Sequence, residues 1–174
     1  MPSVKGNEDG RGLGCARRHE SSCMNRLLVA RCLFTTNAIG IAVGGFAADW
    51  NHTHIFNPDW PPHAKFHNGQ TLAFGVLCAA ATLFFAWRRS GDRRTNILAA
   101  AITGGLTLWA QAAAYTVPGI AWTDPKFLRP DQSLDDFGPQ IYFEMAVTFV
   151  VLLAAWLAWP SATDGHRHPA DRRP

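Results

Sequence analysis

The sequence predicts an all-α protein, a bundle of four transmembrane helices with both termini on the cytoplasmic side. Three observations carry this. Four windows, at about 27–48, 70–87, 96–117 and 140–159, are continuously apolar and nearly free of acidic residues. Each approaches the length needed to cross a hydrocarbon core of roughly 30 Å. Cationic residues crowd the two tails and the middle connection and avoid the other two connections, and an even number of spans puts both tails on one side.

Mean hydropathy is near zero, which on its face suits a soluble protein. The average conceals a segregation, because the polar residues lie in tails and loops. A soluble helix keeps a charged stripe toward water, and none of the four windows has one. The expected organisation is a disordered polar tail (1–24), a membrane domain (25–159) and a second polar tail (160–174). No apolar stretch precedes the first window, so no cleavable signal peptide is recognised, and that span is expected to insert uncleaved.

Orientation follows from charge. Lys5, Arg11, Arg17, Arg18 and Arg26, then Arg88, Arg89, Arg93 and Arg94, then Arg167, Arg172 and Arg173 face Lys65, Lys126 and Arg129 on the opposite connections. Twelve against three is a positive-inside pattern. The connections near 49–70 and 118–139 are therefore expected on the outer side of a bacterial inner membrane or a eukaryotic endomembrane. The net charge of +3 is explained by this topology and calls for no nucleic-acid partner. The expected partner is the lipid bilayer. Cys15, Cys23, Cys32 and Cys78 lie in the inner tail or in spans, so no disulfide framework is expected on the outer side.

In the first span, Arg31 lies about one turn inside and can extend back to the inner surface. Gly40 and Gly44 form a small-xxx-small pair suited to close helix approach or oligomerisation, with Asn37 on the same side. The span ends at Asp49–Trp50. Pro61 and Pro62 fit the start of a short helical turn, which Gly69 is expected to break before the second span. Arg88–Arg94 reads as a tight connection between antiparallel neighbours. On the third span Thr103, Thr107, Gln111 and Tyr115 recur every four residues and are expected to face the bundle, as are Gln140, Glu144 and Thr148 on the fourth. The connection between them carries Trp122, Asp124, Asp131, Asp135 and Asp136 and is long enough to cap the first outer loop. His19, His166 and His168 are expected to be solvated in the tails.

That outer loop, Asp49 to Gln70, holds four of the seven histidines. His52 and His54 alternate, and His63 and His67 sit four apart on one helical face. Imidazoles with Asp49, Asp59 or Glu144 form a donor set that a transition metal (Zn, Fe or Cu) accepts, so His52, His54, His63, His67 and Asp49 are the candidate metal ligands. The competing reading is a loop whose histidines cap helix ends and bond the loop to itself. Glu144, about one turn inside the outer boundary, is a candidate catalytic acid or base with His63 and His67. Gln70, Gln111, Tyr115, Gln140 and Trp60 are candidate substrate-binding residues. Trp50, Trp60, Phe56 and Phe66 also suit an interfacial aromatic belt.

The run His54-Ile55-Phe56-Asn57-Pro58-Asp59-Trp60-Pro61-Pro62-His63-Ala64-Lys65-Phe66-His67-Asn68-Gly69-Gln70 resembles a motif in a family of small, uncharacterised four-span membrane proteins of fungi and bacteria. The resemblance implies the four-span fold and marks Asn57, Trp60, His63, Phe66, His67 and Gln70. It implies no particular activity. The architecture is also similar to that of the sterol-isomerase-like superfamily, without its motifs.

Two function classes remain open on the sequence. One is a membrane-embedded enzyme acting on a small lipophilic substrate at the histidine-rich site. The other is a non-catalytic carrier, binding or accessory subunit whose loop is a lid or a metal-binding surface.

Overall fold

The computed structural model describes residues 9–133, 138 and 140–160. The expectations for 1–8, for Asp135 and Asp136, and for the tail from residue 161 with His166 and His168 lie outside the described residues. The described chain forms α1 (Asp9–Asp49), α2 (Pro62–Trp87), α3 (Arg93–Ala114) and α4 (Gln140–Ala158), with a single 3-10 turn at Pro125–Phe127. Among the described residues there is no strand, and four helical segments are long and apolar enough to cross a membrane. They are Ser21–Asp49, Pro62–Trp87, Arg93–Ala114 and Gln140–Ala158.

Several boundaries differ from the sequence reading, α3 running Arg93–Ala114 against the expected 96–117. Helix α1 reaches back to Asp9, where composition suggests a disordered tail. Residues 9–24 contain no proline, and extending an existing helix adds one hydrogen bond for each residue fixed. Gly69 does not break α2, which runs unbroken from Pro62. An internal glycine costs only about 1 kcal/mol against alanine, which the flanking apolar span outweighs.

The helices run up, down, up and down. α1 packs on α2, α3 and α4, and α3 packs on α2 and α4, while among the described residues the backbones of α2 and α4 are not adjacent. What faces inward is small. Ala30, Ala38, Ala79, Ala100, Ala154 and Ala158 are buried, with Phe34 and Val151 the largest apolar side chains wholly enclosed. What faces outward is bulky, including Val43, Leu77, Phe84, Ile102 and Phe149. This inverts a soluble protein. Lipid tails are as apolar as leucine, so helices associate where small residues let backbones approach and van der Waals contact is dense.

Of the glycines facing another helix, Gly104 leaves the least room for a side chain. Asn37 Nδ2 donates to the Gly104 carbonyl at 2.9 Å, and a Cβ on Gly104 would stand 2.9 Å from that nitrogen and 3.4 Å from Thr82 Cγ2. Thr82 Oγ1 and Thr103 Oγ1 lie 3.0 Å apart, each also within reach of a carbonyl of its own helix, Cys78 or Ala99, and their two protons serve two of these three contacts. A Cβ on Gly75 would stand 3.7 Å from Ile41, and one on Gly45 would stand 3.2 Å from Leu72. Gly40 and Gly44 face open space, with nothing within 4 Å of a Cβ at either. The close approaches on α1 therefore lie at Asn37, Ile41 and Gly45, and the Gly40/Gly44 pair borders them without a close neighbour.

The end carrying the arginines is ringed by cation–π contacts. Arg26 lies over Trp156 at 5.3 Å, Arg31 over Trp87 at 5.3 Å and Arg94 over Trp159 at 5.8 Å. The connection between α2 and α3 is tight, with Gly91 at φ 80°, a left-handed conformation that glycine adopts without strain. Asp92 caps α3, accepting from Thr95 N at 2.7 Å and Thr95 Oγ1 at 2.8 Å.

Two outcomes test this packing. Gly104→Ala displaces Asn37 and destabilises the bundle by about 1–3 kcal/mol, whereas Gly40→Ala is near neutral, as read by reversible unfolding in mixed micelles. The backbone and side-chain hydrogen bonds from Thr95 hold the Asp92 carboxyl below the usual carboxylate range. The stability that Asp92 contributes is then complete above that range and is lost as pH falls through the lowered value. The difference in unfolding between wild type and Asp92→Ala should shrink in acid.

Candidate functional site

At the opposite end, the α1–α2 loop builds itself around short polar side chains. Asn51 reaches back to the Ala48 carbonyl (2.5 Å), and its Oδ1 accepts from Thr53 N (2.8 Å) and Thr53 Oγ1 (2.6 Å). That is an Asx turn, the local bonding that makes asparagine a turn residue. The single Thr53 hydroxyl proton goes to Asn51, so His54 Nδ1, 2.7 Å from the same oxygen, is the donor in that contact. His54 Nε2 then faces Asp49 Oδ1 at 3.7 Å, and its ring meets Trp60 edge-on at 5.2 Å. Asp49 Oδ2 accepts from Asn68 Nδ2 at 2.6 Å, which ties the end of α1 to the first turns of α2.

Asn57 is the buried centre of the loop, 1% exposed. Its Nδ2 donates to the Thr53 carbonyl at 3.3 Å, and its Oδ1 accepts from Asp59 N at 3.0 Å. The α3–α4 connection reaches over as expected of a cap. Lys126 pairs with Asp59, and Phe127 meets His52 edge-on at 5.9 Å. Trp122 in that connection stacks on Tyr115 at 5.4 Å.

His63 and His67 form the second group. They occupy the first turns of α2, where Pro62 starts the helix without losing a needed N–H. Their Nε2 atoms are 3.0 Å apart, and His67 Nδ1 is 3.3 Å from Gln70 Oε1. Gln70 Oε1 can only accept, so His67 carries its proton on Nδ1 and presents Nε2 as acceptor, and His63 Nε2–H donates to it. His63 Nδ1 is left as a basic lone pair. The His63 ring lies parallel to Phe66, with centroids 6.1 Å apart, and both histidines are exposed.

Glu144 stands apart from this group. It is 4% exposed on α4, and neither carboxylate oxygen has a hydrogen-bond partner. Thr148, one turn further along, accepts from Trp109 Nε1 at 3.2 Å. Thr107 Oγ1 and Asn37 Oδ1 are likewise buried without partners. An unpaired carboxylate at such a position is costly and calls for a donor.

The sequence-predicted residues thus divide. His63, His67 and Gln70 come together, and so do Asp49, His54 and Trp60. His52 lies against Phe127, Glu144 makes no hydrogen bond to any histidine, and Gln111 and Gln140 are exposed. Gln111 does not follow Thr103 and Thr107 toward the interior. Among the described residues no group of three or more His, Cys, Asp or Glu side chains is placed to hold a metal ion. His63 and His67 offer two nitrogens without a third ligand of those types. The sequence reading placed Asn57 only within the quoted motif and missed that it is the loop's buried centre. An asparagine before Pro58, in a loop without regular structure, was the available signal.

Asn57→Ala removes both bonds of that buried amide and should destabilise the loop by about 1–3 kcal/mol. The expected result is faster amide hydrogen exchange over residues 51–60, with exchange in α3 and α4 unchanged.

A family model described as a family of unknown function (DUF6640) matches residues 33–167. The match takes in the C-terminal part of α1 from Leu33, all of α2, α3 and α4, and both loops at the histidine end, so it extends far beyond the loop motif. No curated protein and no solved structure matches the chain.

Proposed function

The chain belongs to the family of unknown function DUF6640, and from its geometry we propose a membrane-embedded enzyme that acts on a small lipophilic substrate at the histidine face. The observation that carries this reading is the His63–His67 contact at 3.0 Å, with Gln70 fixing the tautomer. His63 Nδ1 is the general base. When it takes a proton, the positive ring donates more strongly through Nε2 to His67, which stabilises the charged form. The pair sits where α2 leaves the apolar span, so a substrate held in lipid can bring a polar group to it. Trp60 and Phe66 supply flat apolar surface nearby. Glu144 serves as the buried acceptor for a donor group of the substrate that reaches further into the bundle. In this reading the histidine face lies on the outer side of the membrane, following the arginine bias.

The alternative is an accessory or binding subunit whose loop is a lid. The self-contained Asn51–Thr53–His54–Asp49–Asn68 network supports it, because a loop so thoroughly bonded to itself needs no substrate to order it.

Expression in a host lacking the gene separates the two. The enzyme reading expects a change in the lipid extract that His63→Ala and His67→Ala abolish, about 10²-fold or more in rate for loss of a general base, with folded protein retained. An unchanged extract together with a stoichiometric copurifying partner would establish the accessory role. Metal analysis of the purified protein adds a second arm. The proton-relay form expects no metal whose content falls on His63→Ala. For Glu144, Glu144→Gln should weaken substrate binding while sparing the fold.

A further inference from the structure

The arginine end contains a groove of about 290 Å³ that the reading above does not use. Four arginines from three parts of the chain converge on it, Arg31 from α1, Arg88 and Arg89 from the α2 exit, and Arg93 from the first turn of α3. Its other walls are mainly apolar, with Leu27 and Phe85 among them and Asn96 the uncharged polar exception, and no lining residue is acidic. The adjacent Asp92 is outside the lining, and its carboxylate caps α3 by accepting from Thr95.

Three of these arginines are braced in place. Arg31 Nε donates to the Ala86 carbonyl at 3.1 Å, and its guanidinium lies over Trp87. Arg88 Nε donates to Ser90 Oγ at 3.2 Å and packs over Phe84. Arg93 Nη2 donates to the Ala158 carbonyl at 2.8 Å. Arg31 also feels the like charges of Arg89 and Arg93. A positive-inside signal requires only that such residues be near the membrane. It does not require them to be gathered, held and set against one another around a concave space.

We infer that this groove binds an anionic phospholipid, with the phosphodiester between Arg31, Arg89 and Arg93 and the acyl region against Leu27 and Phe85. Arginine forks match phosphate oxygens in geometry as well as charge. The apolar walls favour a membrane lipid over a free phosphate, which would leave them without a partner. The flanking pairs of Arg26 with Trp156 and Arg94 with Trp159 put the mouth at the depth of a headgroup layer. Gathered around one headgroup, α1, α2 and α3 are cross-linked at this end.

The test is native mass spectrometry of the purified protein titrated with phosphatidylglycerol or phosphatidylcholine of matched chains. The expected result is retention of one phosphatidylglycerol, preferred roughly tenfold or more over phosphatidylcholine, and loss of that preference in Arg31→Gln/Arg89→Gln. Arg26→Gln/Arg94→Gln removes the same charge at the same end, outside the groove, and should keep it. Should Arg31→Gln fail to fold, Arg88→Gln/Arg89→Gln takes its place, since both side chains are exposed. Equal loss in the Arg26/Arg94 variant would overturn the inference in favour of diffuse surface charge. Displacement of the lipid by millimolar inorganic phosphate would overturn it in favour of a soluble anion, and absence of any preference would overturn it outright.

Discussion

The bundle depends on how closely α1 and α2 approach α3 at Gly104. No apolar driving force pulls helices together in lipid, so contact has to come from shape and from polar groups that have nowhere else to go. Both are present there. The missing Cβ admits Asn37 and Thr82, and the Asn37 amide bonds a backbone carbonyl that already serves its own helix. The alanine layers at Ala30, Ala100, Ala154 and Ala158 extend this spacing toward the arginine end.

Because the middle is small-residue packing, distinctive chemistry is displaced to the two ends, and the ends differ. One is a groove of braced arginines with tryptophan neighbours. The other is a loop stitched by short amides and hydroxyls, with two imidazoles in contact on its rim. Glu144 belongs to neither. It is a carboxyl sunk between helices without a hydrogen-bonding neighbour.

The spans were legible because continuity of apolar residues survives any choice of helix face. Which side of each helix packs was harder to read. The Gly40/Gly44 spacing satisfied the small-xxx-small pattern, yet the contacts use Gly45, Gly75 and Gly104, because the pattern says that a helix can be approached and leaves open from which side. The same ambiguity misplaced Gln111. Four-residue spacing put it with Thr103 and Thr107, but a helix turns through 100° per residue, so a row of fourth residues drifts around the axis and by Gln111 has left the interior. Glu144 was read correctly as buried because charge in a span leaves few alternatives. The pairing of His63 with His67 followed from one helical turn. The Asp49–Asn68 and Asp59–Lys126 ties did not, since each joins residues far apart in sequence.

The separation of the α2 and α4 backbones has a consequence for how the molecule is made. α4 packs on α1 and α3, both synthesised before it, so α1, α2 and α3 can assemble as a unit while a furrow lined by Phe34 and Ala100 waits open to lipid. Closing that furrow falls to α4, the helix that carries Glu144, which is 4% exposed.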